Sequence, residues 1–156
     1  MDTEPEISYS DIPLVDLRHE FSISASDDYI PASVAQIIVD DEGRILVSER
    51  QEKAVHQFDS TGTYVARVAR SGRGPGELSQ YANGHLNGEV LVMSNNNGKL
   101  TEYRPNDAGV YSFVQDHAYR LPGPMRGIRS EGEFTSAYVA VDSAQIPFGV
   151  IPPDFT

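Results

Sequence analysis

The sequence has no cysteine among its 156 residues. Disulfides, thiolate catalysis and cysteine-ligated zinc or iron–sulfur centres are therefore excluded. Positive charge is scarce: 12 Lys and Arg stand against 23 Asp and Glu, a net charge of −11. That balance argues against a nucleic-acid backbone as partner, which rewards clustered Lys and Arg, and against an anionic membrane surface. No apolar run approaches the roughly 20 residues of a membrane-spanning helix. No segment of helical length repeats apolar residues at i, i+3, i+4 and i+7 without an intervening Gly or Pro. What is present suits a packed core of one domain: 39% of residues are hydrophobic and 22% charged.

Charge is uneven. Residues 1–28 hold eight acids and one base, so they carry −7 of the net −11. Residues 1–19 are expected to be an acidic, partly flexible and solvated lead to a domain spanning 20–156. The start Met1-Asp2-Thr3-Glu4-Pro5-Glu6 is the reverse of a secretory signal, which opens positive and continues apolar. A cytoplasmic protein and one whose signal has been removed both fit.

Strand signals dominate. Ile37-Ile38-Val39, Ile45-Leu46-Val47 and Val90-Leu91-Val92 are short apolar runs rich in β-branched residues. Asp40-Asp41-Glu42-Gly43, Asp59-Ser60-Thr61-Gly62, Asn87-Gly88 and Asn106-Asp107-Ala108-Gly109 are turn signals, since Gly tolerates the positive φ that tight hairpins need. Apolar residues at consecutive positions imply strands covered on both faces, as in stacked small sheets. An internal repeat favours a propeller over a sandwich. A shift of 45 residues places Gly43 on Gly88, Ile45-Leu46-Val47 on Val90-Leu91-Val92, Val55 on Leu100 and Phe58 on Tyr103. About four strands in such a period make one propeller blade. The expected fold is all-β, a partial β-propeller of four-stranded antiparallel blades. The first blade falls at 34–70, with strands at 34–39, 44–49, 54–58 and 63–69. The second falls at 80–117, with strands at 80–86, 89–94, 99–103 and 110–117. A partial third, over about 125–156, fades after Val141. Residues 20–24 are expected to add an outer strand to a neighbouring blade.

Three stretches carry a resemblance: Ile38 to Glu49 (IVDDEGRILVSE), Val55 to Val65 (VHQFDSTGTYV) and Gly72 to Leu78 (GRGPGEL). They resemble the NHL-type repeat of six-bladed β-propellers, the last being similar to the G-x-GPGEF stretch between blades, with Leu78 in place of Phe. The resemblance implies a scaffold common among secreted bacterial proteins, hence a periplasmic or extracellular setting. It is associated with binding protein, RNA or carbohydrate, and related scaffolds include lactonases and an amidating lyase. Six blades need about six times 40–45 residues. The chain has room for about three, so it is a piece of a longer protein, half of a two-fold ring closed by a second copy, or an open arc.

Several residues of chemical interest also have plain structural roles. Arg70 and Arg73 beside the glycines of 72–78 suit a carboxylate or phosphate, although an interblade turn explains the same residues. Asp40-Asp41-Glu42 lacks a calcium loop's spacing and reads as a hairpin turn. His19, His56, His85 and His117 show no metal-ligand spacing. Asn95, Asn96 and Asn97 fall in the loop corresponding to Arg50-Gln51-Glu52 and suit a sugar or peptide, or simply a turn before Gly98. No G-x-S-x-G is present. The expectation is a non-enzymatic binding module whose ligand surface carries Arg50, Arg70, Arg73, Asn95, Asn96 and Asn97. It needs no cofactor and binds a protein, peptide or carbohydrate, not nucleic acid or membrane. The alternatives are a remnant of a metal-dependent hydrolase or lyase using Glu49, Asn95 and His85, and a truncated fragment without a function of its own.

Overall fold

The computed structural model describes residues 16–80, 82–95 and 99–118, with the backbone of three further strands at 125–131, 134–141 and 144–151. All regular structure among them is strand. The first sheet contains β1 (Val34–Val39), β2 (Ile45–Glu49), β3 (Ala54–Phe58), β4 (Tyr64–Ser71) and the two-residue β5 (Glu77–Leu78). The second contains β6 (Ala82–Asn87), β7 (Val90–Asn95), β8 (Lys99–Pro105) and β9 (Tyr111–Ala118). The third contains β10 (Met125–Glu131), β11 (Phe134–Val141) and β12 (Ala144–Ile151). Each sheet is an antiparallel meander in chain order, apart from the short parallel pairing of β5 with β4. The third sheet does not fade after Val141: β12 pairs with β11 out to Ile151. Alternation weakens there at Pro147 and Gly149, which hid the strand in the sequence. Residues 20–24 form no strand.

One loop design recurs three times. Asp40, Asp59 and Asn106 each accept, through one side-chain oxygen, the N–H groups two and four residues on. In each loop the backbone closes from residue i to i+4 and from i+3 to i. The fourth residue is glycine at positive φ, 78° at Gly43, 83° at Gly62 and 74° at Gly109. A short acceptor side chain at the first position and Gly at the fourth are what this loop requires.

The first two sheets stack face to face. Leu46, Val55, Ala69 and Leu78 from one side meet Ala82, Leu91, Met93, Tyr103 and Tyr111 from the other. Burying each large side chain is worth roughly 1.5–3 kcal/mol. Ile45, Val47 and Phe58 point to the opposite face of the first sheet, where Tyr29, Ile23 and Tyr64 pack on them. All five residues of β2 are consequently buried. The repeat is not a uniform 45. Ile45 pairs with Phe58 and Leu91 with Tyr103, so Phe58 and Tyr103 are 45 apart while their partners are 46 apart. Leu91, not Val90, thus occupies the place of Ile45. The aligned runs concealed this because every residue in both is apolar, and a one-residue slip exchanges the two faces of a strand.

Polar clamps join the stack. The Gln36 side chain donates to Gly84 O and accepts from Gly84 N, both at 2.8 Å. Gln57 donates to Gly109 O and accepts from Tyr111 N, again at 2.8 Å. The Tyr111 hydroxyl donates to Asp40 Oδ2 at 3.0 Å, beside the Arg44 guanidinium that bonds the same oxygen. Burial by itself raises an aspartate's pKa. Here the bonds from Arg44 and Tyr111 outweigh it and hold Asp40 below the ordinary aspartate value. β10 lies against β6 and β7 and extends the stack.

Two substitutions test this joint. A Cβ on Gly84 falls 2.7 Å from Met93 Sδ and 2.8 Å from Ile38 Cδ1. Gly84→Ala is expected to lower stability by about 1–3 kcal/mol in urea unfolding, as overpacking does. Tyr111→Phe is expected to cost about 1.5–3 kcal/mol near neutrality, the worth of a hydrogen bond to a charged group. The lowered pKa of Asp40 stabilises the fold above the ordinary aspartate value and ceases to do so as pH falls through its folded value. The deficit of Tyr111→Phe should accordingly shrink toward pH 3.

Candidate binding face

Two loops open on one end of the stack, residues 50–53 between β2 and β3 and residues 72–76 before β5, and at the same end β7 finishes at Asn95 and β8 begins at Lys99. The linker is a closed structure. Gly72 N–H donates to Leu78 O and Glu77 N–H to Gly74 O, each at 3.1 Å. The Glu77 carboxylate turns back into the ring, accepting Gly74 N–H at 2.8 Å and the Arg70 guanidinium at 2.8–2.9 Å. The Gly74 bond, with Arg70 next, holds its pKa below the ordinary glutamate value. Gly72 leaves the carboxylate room, since a Cβ there would push the Glu77 side chain aside. The anion expected among these glycines is therefore the chain's own Glu77. Arg70, expected as a ligand contact, is engaged by it.

The linker is bolted to the second sheet. Lys99 Nζ donates to Glu77 O at 2.9 Å, Gly74 O at 3.3 Å and Asp116 Oδ2 at 3.2 Å. Asp116 also accepts from the Thr101 hydroxyl at 2.7 Å, and Tyr103 donates to Gly76 O at 2.8 Å. On the first sheet's side, Lys53 at φ 54° donates to Ser79 O at 3.4 Å. Arg73 is exposed, and with Gly72, Ser79 and Lys99 it lines a cleft of about 190 Å³. Arg50 is exposed at the start of its loop, its backbone N–H bonded to Ser33 O at 2.9 Å. Asn95 ends β7, paired through the backbone with Lys99. Asn96 and Asn97 lie outside the described residues. The structure thus brings the Arg50, Arg73 and Asn95 segments to one end. Lys53 and Lys99, which hold them there, went unnoticed in the sequence. Lys99 and Asp116 are 17 residues apart, and only strand register makes them neighbours.

The residues weighed for metal chemistry do not converge. Both Glu49 oxygens are taken, one by the Tyr29 hydroxyl and one by Ser33 N–H, each at 2.7 Å. Glu49 follows Ile45 and Val47 on the outward face of the first sheet, whereas His85 belongs to β6 in the second. Among the described residues no three His, Cys, Asp or Glu are grouped to hold a metal.

A second polar cluster lies on that outward face. Residues 21–33, expected to begin with the outer strand at 20–24, cross it as an irregular strap. Tyr29 is buried against Phe58, with ring centroids 5.0 Å apart, against Tyr64 at 6.2 Å and against His56 at 4.8 Å. His56 and Glu49 are each 1% exposed. His56 Nε2 lies 3.3 Å from Glu52, and its Nδ1 is buried without a partner. Burial pushes the His56 pKa below the ordinary histidine value, although Glu52 works the other way. Beside the strap, Phe21, Pro31, Val34, Ile37 and Val39 border an open apolar cleft of about 500 Å³.

Small antiparallel meanders stacked face to face in chain order are the blades of a β-propeller. The sequence matches the family described as 6-bladed beta-propeller over residues 22–118, and the chain belongs to that family. Among solved structures it is similar to a "Putative exported protein" of Bacteroides fragilis NCTC 9343, with a TM-score of 0.67 and 17% identity. That likeness covers 87% of this chain and 39% of the other, so the chain spans about two-fifths of the length of its structural neighbour. No curated protein matches. No helix among the described residues is long and apolar enough to cross a membrane.

Removing the internal anion tests the linker. Glu77→Ala is expected to speed amide exchange at Gly72 and Gly74 while leaving β6 and β7 protected, as measured by NMR. Unchanged exchange at Gly74 would show that the carboxylate does not hold the loop.

Proposed function

We propose that the chain is part of a six-bladed propeller that works as a non-enzymatic binding module, with its ligand surface on the end carrying Arg50, Arg73 and the loop of Asn95, Asn96 and Asn97. The observation that carries this reading is the anchoring of the 72–79 linker by Lys53 from the first sheet and Lys99 from the second. It leaves Arg73 exposed beside a cleft on a rigid base, in an otherwise acidic chain. Rigid loops with a projecting guanidinium suit a protein, peptide or carbohydrate that bears a carboxylate. Arg70 serves the scaffold through Glu77 rather than the ligand. The Gly72 to Leu78 stretch supports an NHL-type assignment of the repeat. The exported description of the structural neighbour supports a periplasmic or extracellular setting.

The ring itself is part of the proposal. Val34, Ile37 and Val39 are 49%, 60% and 58% exposed on the outward face of the first sheet. Apolar residues in that number on one face suit contact with a further blade, from a longer chain or a second copy.

A panel of immobilised acidic peptides and uronic-acid glycans is the first screen. Against any member retained, Arg73→Ala is expected to weaken binding by about tenfold, the effect of one good charged hydrogen bond, and Arg50→Ala to weaken it less. Affinity unchanged in both variants would overturn the site. Light scattering on the eluting protein tests the ring: twice the chain's 17.1 kDa supports closure by a second copy.

A further inference from the structure

We propose that residues 21–33 form a pH-sensitive strap over the outward face of the first sheet, closed while His56 is neutral and opened when it takes up a proton.

The strap has no strand pairing. Within it, Ser26 N–H donates to Tyr29 O at 2.7 Å. It is fastened to the sheet at a few points. Tyr29 O–H and Ser33 N–H grip the two oxygens of Glu49, Ser33 O accepts the Arg50 N–H, the Tyr29 ring lies on His56, Phe58 and Tyr64, and Ile23 and Phe21 pack on the sheet and beside Gly62. A segment held by so few contacts is the part of a fold that opens first.

His56 sits under the central fastening. Its Nε2 faces Glu52, while its Nδ1 is enclosed with no acceptor. A proton there produces an N–H with nothing to receive it, and a charge cut off from water. Water reaches the ring when Tyr29 leaves. The groups around it come from every neighbouring element: Glu49 on β2, Glu52 in the loop, Arg67 and Tyr64 on β4, and Tyr29 on the strap, with Asp28 close to Tyr64. Glu52 and Glu49 favour the charged ring, Arg67 opposes it, and Glu49 is already occupied by the strap. In the open state the ring is hydrated and its affinity for a proton returns toward that of a free histidine. Acid therefore favours opening, beginning below the ordinary histidine value and growing until the closed form also titrates. Opening uncovers Ile45, Val47 and Phe58 beside the already exposed Ile37 and Val39, enlarging the apolar face.

The test is amide exchange by mass spectrometry on the full chain at about pH 7.5, 6.5 and 5.5, corrected for the intrinsic rate. Protection of residues 27–33 is expected to fall severalfold over that range, because the open form binds the proton more readily than the closed one, while β7 and β8 stay protected. His56→Phe should abolish the pH dependence. His19→Gln, in the exposed residues before the strap, should keep it. NMR titration of the His56 ring in the unaltered chain covers the case in which His56→Phe does not fold: its midpoint should lie below the ordinary histidine value and coincide with the loss of strap protection. Strap protection that is flat with pH, an unchanged pH response in His56→Phe, or a His56 midpoint at or above the ordinary histidine value would each overturn the proposal.

Discussion

The first two sheets approach closely enough for side-chain amides of one to bond the backbone of the other. Everything else in the structure accommodates that distance. Gly84 is glycine because Ile38 and Met93 close over it, and Gln36 and Gln57 have the length to reach across. Leu46, Leu91 and Tyr103 fill the space that remains. A four-stranded sheet of short strands cannot bury both faces alone, so its stability is a property of the stack. The same logic gives the outward face of the first sheet its character. Its central strands need cover, and Tyr29 supplies part of it.

Much of the fold was legible in the sequence because its signals are local. Four-residue turns beginning with Asp or Asn and ending in Gly marked hairpins at 40–43, 59–62 and 106–109, and the loops there have the geometry those residues demand. Runs such as Ile45-Leu46-Val47 announced burial on both faces. The same runs misled on register, since nothing in an all-apolar triplet says which residue faces which way. That information lies in the pairings Ile45–Phe58 and Leu91–Tyr103, set by loop lengths that differ between repeats. The strap was legible only in part: Phe21 and Ile23 alternate as in a strand, yet 20–24 form none, and the segment is held by Ile23 and Tyr29 packing on the sheet.

The candidate site was less legible. Exposed arginines and turn asparagines could be chosen by type and by their place in the repeat. The lysines that organise the loops act through carbonyl oxygens, which every residue possesses and no motif records. Glu77 shows the limit most clearly. Glycines followed by arginine indicate a receptor for an anion, and the structure contains one, supplied three residues further along the same loop. An occupied receptor and a vacant one have the same sequence signature until the carboxylate is placed.

The clamps at the sheet joint also fix an order of failure. Gln36 and Gln57 are neutral amides that donate and accept at once, so no change of pH deprives them of a partner. Asp40, the ionised member of the same joint, is held below the ordinary aspartate range and yields only to strong acid. The chain is thus assembled like a book whose spine is indifferent to acidity. Progressive acidification would loosen it from the cover inward, leaving the two bound leaves as the last cooperative unit to come apart.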